Sequence, residues 1–184
     1  MKKLLLVAVM VLTSAMTFAQ QKEGTLTIQP KVGLNIASLT DFDDSDPRFG
    51  VVAGAEFMYQ ATDMVGLSFG ALYSMQGAKY DKTTTKLDYI NIPVLANVYV
   101  APGFAVKLGL QPGFNVNSKA KAKGNGGAVE ADIDAKTVDL SIPIGLSYEF
   151  SNFVIDGRYN WGLTKVAKDS DCKNSVFQIT LGYK

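Results

Sequence analysis

The sequence predicts an all-β fold, an eight-stranded antiparallel up-and-down transmembrane β-barrel after a cleaved signal peptide, on three observations. Beyond the N-terminus, eight segments alternate apolar and polar side chains, the period of a strand whose two faces meet different surroundings. The apolar face of most segments is longer than a soluble sheet needs, while no apolar run past the N-terminus approaches the ~20 residues of a spanning helix. The connections alternate strictly between long and short, as in membrane barrels with short periplasmic turns and longer extracellular loops.

Residues 1–19 read as an export signal. Lys2 and Lys3 precede an apolar stretch over 4–16, and Thr17 and Ala19 supply small residues at the −3 and −1 positions. The stretch is short for an anchor and carries Thr13 and Ser14; Gln20 and Gln21 stand where a lipoprotein needs cysteine. The expected domains are therefore a signal peptide, 1–19, and an outer-membrane β-barrel, 20–184.

The first strand sets Leu26, Ile28, Val32, Leu34 and Ile36 against Thr27, Gln29, Lys31, Gly33 and Asn35. Segments 49–60, 64–76 and 87–100 follow in the same style. The fifth strand opposes Phe104, Val106, Leu108, Leu110, Phe114 and Val116 to Lys107, Gln111, Asn115 and Asn117. In 136–150, Val138, Leu140, Ile142, Ile144, Leu146, Tyr148 and Phe150 alternate with Asp139, Ser141, Gly145, Ser147 and Glu149. The seventh strand places Phe153, Ile155, Tyr159, Trp161 and Leu163 opposite Asp156, Arg158 and Asn160, and the last runs through Phe177, Ile179, Leu181 and Tyr183. Long connections fall at 39–48, 77–86, 118–135 and 164–174, and short ones at 61–63, 101–103 and 151–152. An even strand number places both termini in the periplasm.

A soluble lipocalin-like barrel points its apolar face inward, and a membrane barrel inverts this. The second arrangement puts Lys31, Glu56, Lys107, Asp139, Glu149, Asp156 and Arg158 in the lumen, three cations and four anions, expected to form a nearly balanced network because buried unpaired charge is costly. The lumen of eight strands is just wide enough for its own side chains, so a filled plug outranks an ion path lined by Asp156 and Arg158. Outward aromatics gather at strand ends as two girdles: Tyr59, Phe104, Phe150, Phe153 and Tyr183 on the short-turn side, Phe49, Tyr73, Phe114 and Trp161 on the long-loop side.

Among the loops, Asp41, Asp43, Asp44 and Asp46 are a weak Ca²⁺ candidate, lacking the glycine and distal glutamate of an EF-hand; a solvated acidic loop is the simpler reading. The third loop carries Lys119, Lys121 and Lys123, a Gly-rich turn, then Glu130, Asp132 and Asp134. A projecting hairpin would set Lys121 opposite Glu130 and Lys119 opposite Asp132, odd against even, so a β-bulge is expected within 135–138 to restore the barrel register. The chain contains no histidine, the commonest general base, which argues against an enzyme and against a cofactor or metal site. Cys172, the single cysteine, has acidic neighbours that oppose thiolate formation. A net charge of +1 gives no bias toward nucleic acid.

The segments Asp88-Tyr89-Ile90-Asn91-Ile92-Pro93-Val94-Leu95 and Asp156-Gly157-Arg158-Tyr159-Asn160-Trp161-Gly162-Leu163, with the closing Gly182-Tyr183, resemble the PorT-like outer-membrane β-barrel family over essentially the whole mature chain. The resemblance implies the eight-strand barrel and the outer membrane, and no particular activity. Barrels of this kind usually end in an aromatic residue read by the assembly machinery; here Lys184 follows Tyr183. The expected function is a structural or surface-interaction barrel, monomeric, with a filled polar lumen. Its partners would be outer-membrane lipid, the barrel assembly machinery during biogenesis, and a surface protein or glycan at the loops. The alternatives are a small channel or transport- or secretion-associated barrel, and a soluble periplasmic ligand-binding barrel.

Overall fold

The structure, a computed structural model, describes residues 22–40, 46–80, 83–124, 127–133, 135–166 and 172–184. Among these, ten strands form one sheet: β1 (Leu26–Leu39), β2 (Asp46–Gln60), β3 (Val65–Tyr80), β4 (Thr83–Asn91), β5 (Val94–Ala101), β6 (Phe104–Gly124), β7 (Gly127–Asp132), β8 (Val138–Phe150), β9 (Phe153–Lys165) and β10 (Lys173–Tyr183). Every neighbour pair is antiparallel, and β10 closes onto β1 from Lys31↔Gly182 to Leu39↔Asn174. Closure leaves no free edge in the wall, which is the condition for strands to lie in hydrocarbon.

The wall has eight staves because β4 and β5 share one. Both lie between β3 and β6, and their registers against β3 are continuous, Asn91↔Leu72 and Val94↔Phe69. The 87–100 segment, expected as one strand, is interrupted at Ile92 and Pro93 because proline has no N–H for the ladder. Pro93 still accepts a bond from the Gly70 amide, and the Ile92 amide bonds the Pro112 carbonyl at 2.8 Å. Local chemistry also explains the short turns: Pro102 and Gly103 (φ 71°) join β5 to β6 as a type II turn requires, with positive φ at its third position.

The two faces differ as sharply as two solvents. On the outside Leu34 is 60% exposed and Leu108 55%, while their inward neighbours Asn35 and Lys107 are 0% and 1% exposed. The same contrast runs round the wall, through Ile28, Phe69, Val94, Ile144, Ile155 and Ile179 outside and Gln29, Ser68, Asn97, Asp156 and Gln178 inside. So much contiguous apolar surface is insoluble in water and satisfied by lipid. The inner face is not wholly polar: Val52, Met58, Leu72, Leu87, Tyr89, Leu95 and Tyr99 are also buried within it. Parity places them there whatever their polarity, because successive side chains alternate strictly.

The second long connection, expected over 77–86, is largely strand. β3 runs to Tyr80 and β4 starts at Thr83, pairing Tyr80↔Thr83 through Leu72↔Asn91. β6 likewise continues from Phe114, which pairs the first residue of β8, to Gly124, roughly 30 Å further at ~3.3 Å per residue. β7 folds back along it, so β3, β4, β6 and β7 form a four-stranded blade beyond the barrel mouth. Lys121↔Glu130 and Lys119↔Asp132 are register partners, as the hairpin reading requires. The register offset lies between the Ile133 amide, bonded to Ser118, and the Thr137 carbonyl, bonded to Asn115, a span that overlaps the expected 135–138, and there β7 has ended and β8 not yet begun, in place of the expected bulge. A second offset on β6 shifts Asp88↔Asn117 to Tyr89↔Asn115.

Candidate functional site

At the middle of the lumen, five charged side chains from four staves converge, each at most 1% exposed. Asp156 on β9 is the hub. Its Oδ1 accepts from Arg158 Nε at 2.8 Å, and its Oδ2 accepts from Arg158 Nη2 at 2.9 Å, from Lys31 Nζ at 3.4 Å and from Lys107 Nζ. Glu56 is the second anion, 2.5 Å from Lys31 Nζ and 2.9 Å from Arg158 Nη2.

Cross-strand glycines make room for these chains. Lys31 lies between Gly182 and Gly54 in register, Glu56 beside Gly70, and Lys107 and Arg158 both beside Gly145. A Cβ at Gly70 would stand 2.9 Å from Glu56 Cγ, and one at Gly145 2.7 Å from Arg158 Cβ. These positions were visible in the sequence as glycines on the polar parity, and their pairing with the charges needed the register.

The seven lumen charges do not form one network. Glu149 lies toward the short-turn end, accepting from Tyr99 Oη and from Lys184 Nζ, each at 2.6 Å. Lys184, read from sequence only as an unusual terminus, is thus a lumen cation, held by its amide to the Asn152 carbonyl at 2.8 Å. Asp139 lies toward the opposite end, where Thr164 Oγ1 (2.5 Å) and Asn174 Nδ2 (3.1 Å) donate to it. Beside it, Leu87, Tyr89 and Val166 pack with Leu39, Ile133 and Ala135 into an apolar cap at the long-loop mouth. Sequence reasoning missed this cap because its members come from four segments, each unremarkable alone. Cys172 is buried next to it, its carbonyl accepting from Val166 N.

The blade has its own polar groups. Lys86 Nζ lies 2.6 Å from Glu130 Oε1, so the partner of Glu130 comes from β4, across β6, and the expected Lys121 is its register neighbour instead. That hydrogen bond and the Lys86 charge hold the Glu130 carboxyl below the usual carboxylate range. At the base of the blade Arg48 donates to the Gln76 carbonyl and lies 3.5 Å from Asp88, which also accepts from Tyr73 Oη (3.1 Å) and Asn117 Nδ2 (2.8 Å), tying four strands together.

The aromatic residues expected in girdles lie on the outer face: Phe49, Tyr59, Tyr73, Phe114, Phe153, Trp161 and Tyr183 are exposed, and Phe104 and Phe150 half-buried. On the short-turn side Phe153 packs on Phe150 and Tyr183 with ring centroids 5.7 and 5.5 Å apart. Of the acidic-loop candidates, Asp46 opens β2, while Asp41, Asp43 and Asp44 lie outside the described residues. Among the described residues there is no group of three or more side chains suited to a metal ion.

A closed sheet, apolar outside and charged within, with aromatic residues at both rims, defines a small transmembrane β-barrel. The chain belongs to the family described as outer membrane protein beta-barrel domain, which matches residues 18–168, and it is an outer-membrane protein. In structure it is similar to Neisserial surface protein A, with a TM-score of 0.58 and 18% identity over 87% of this chain and 99% of that one. It is also similar to Ail, the attachment invasion locus protein of Yersinia pestis, with a TM-score of 0.53 and 17% identity over 88% of this chain and 99% of that one. Ail has also been solved with the heparin analogue sucrose octasulfate. Comparison with curated proteins gives no sequence match. Outer-membrane placement removes the soluble periplasmic alternative.

Proposed function

We propose that this protein is a sealed, monomeric, non-enzymatic barrel whose work is done by its extracellular blade, which presents a binding surface to a glycan or protein outside the cell. The observation that carries the reading is the blade: four strands continue past a barrel mouth capped by Leu87, Tyr89, Val166 and Ile133. Lys86, Lys119 and Lys121 alternate on β4 and β6 with inward-facing small or apolar residues, and the carboxylates Glu130 and Asp132 stand beside them on β7. Tyr80 and Val129 near the tip are 53% and 71% exposed. A polar, lysine-bearing sheet with an exposed apolar tip is suited to recognition by shape and charge. The heparin analogue bound by Ail makes an anionic glycan the first class to test.

Residues 1–19 are, on this reading, removed as a signal peptide, leaving 20–184 as the mature domain, which the assembly machinery inserts. Placement within the PorT-like group rests on the fourth-stave and seventh-stave motifs, and a link to secretion or transport has no observation in its favour. The test is a photo-crosslinking side chain at Val129 in intact cells. A specific adduct with a surface glycan or protein, lost when residues 119–132 are replaced by a short turn, is expected; no adduct from a barrel shown to be at the surface contradicts the reading.

A further inference from the structure

The central lumen cluster is short of negative charge. Among the described residues three cations, Lys31, Lys107 and Arg158, share two carboxylates, Glu56 and Asp156, and all five are excluded from solvent. The remaining lumen carboxylates serve elsewhere, Glu149 with Tyr99 and Lys184, Asp139 with Thr164 and Asn174.

Hydrogen-bond donors are in surplus at the same place. Asp156 Oδ2 already accepts from three cations, and Glu56 Oε1, without a hydrogen bond, is in ion-pair contact with Arg158 Nη2 at 2.9 Å, whereas Arg158 Nη1 is buried without a partner. Lys107 directs one hydrogen bond to Asp156, and an ammonium carries three protons. Beside Arg158 in register, Gln178 Nε2 is also buried and unpartnered, and so are the hydroxyls of Thr180 and Ser147, which flank Asp156. Lys107 and Arg158 flank Gly145 in register, so β8 places no side chain between them.

A buried excess of positive charge surrounded by unused N–H and O–H groups requires an acceptor that brings negative charge. We propose that the lumen centre holds a small monovalent anion of the halide class, bound between Lys107 Nζ and Arg158 Nη1 with Gln178 beside it. The ion completes the charge balance that the seven-residue sequence count suggested and the spatial separation of Glu149 and Asp139 removes. It enters as the barrel closes, since both ends of the lumen are sealed.

Mature barrel refolded and crystallised in sodium bromide tests this by anomalous scattering. A bromide peak within contact distance of Lys107 Nζ and Arg158 Nη1 is expected. Peaks confined to surface lysines, an adventitious ion only, or none at all would overturn the proposal. As a solution measurement, barrel refolded in bromide should unfold at a higher urea concentration than barrel refolded in gluconate at equal ionic strength, and equal midpoints contradict the site. Lys107→Met removes the excess charge, so the halide effect and the lumen peak should both disappear; their persistence in the variant also counts against the assignment. If that variant does not fold, the two wild-type measurements decide alone.

Discussion

Asp156 is the residue on which the interior depends. Three cations meet its two oxygens in a site excluded from bulk solvent, and truncating one partner of a buried ion pair costs about 3–5 kcal/mol because the others are left uncompensated. Asp156→Asn should therefore lower the stability of the refolded barrel by that order, measured as the urea midpoint of the heat-modifiable gel shift, and more than Glu149→Gln at the short-turn end. A second residue-scale consequence concerns glycine. Gly70→Val places its Cβ 2.2 Å from the Ala55 carbonyl and 2.9 Å from Glu56 Cγ, so it should prevent folding or displace Glu56, whereas Gly157→Val, where a Cβ meets nothing within 4 Å on the outer face, should fold normally. The charged residues of this site were legible from parity. Their division into three groups was not, because grouping depends on stave order and stagger. Lys184 was read as a terminus rather than as the cation that reaches Glu149.

At the scale of elements, the blade is stabilised by an ion pair that skips a strand, Lys86 on β4 with Glu130 on β7. Because the folded-state pKa of Glu130 is lowered, the pair contributes at neutral pH and is lost as pH falls through that lowered value. Glu130→Gln should speed amide exchange in β7 relative to wild type at pH 7, and the difference should vanish once the wild-type carboxyl is protonated in acid. The hairpin register was readable from charge order alone, since Lys121↔Glu130 and Lys119↔Asp132 bring opposite charges together. The continuation of β3 to Tyr80 and of β4 from Thr83 was hidden: Gly77, with φ 118°, and the polar run Thr83, Thr84, Thr85 and Lys86 read as loop, and their pairing with each other from Tyr80↔Thr83 and with β6 from Thr83↔Ala122 makes them strand. Tertiary pairing overrides weak local preference more easily in sheets than in helices.

For the whole molecule, alternation carried the fold because each face answers to a different solvent. The outside of the wall must face hydrocarbon: Leu108, on the outer face of β6 midway between Phe104 and Phe114, is expected to lose about 2–4 kcal/mol of stability in lipid vesicles when changed to Arg. The inside is filled at three levels, by Tyr99, Glu149 and Lys184 toward the short turns, by the charge cluster at the centre, and by the apolar cap under the blade. On the proposed function, a barrel so filled holds its shape, displays a surface and offers no path for ions. Planar-bilayer recording of the refolded mature protein tests that claim most directly: a silent membrane is the predicted result, and reproducible single-channel steps from protein at purity would contradict it.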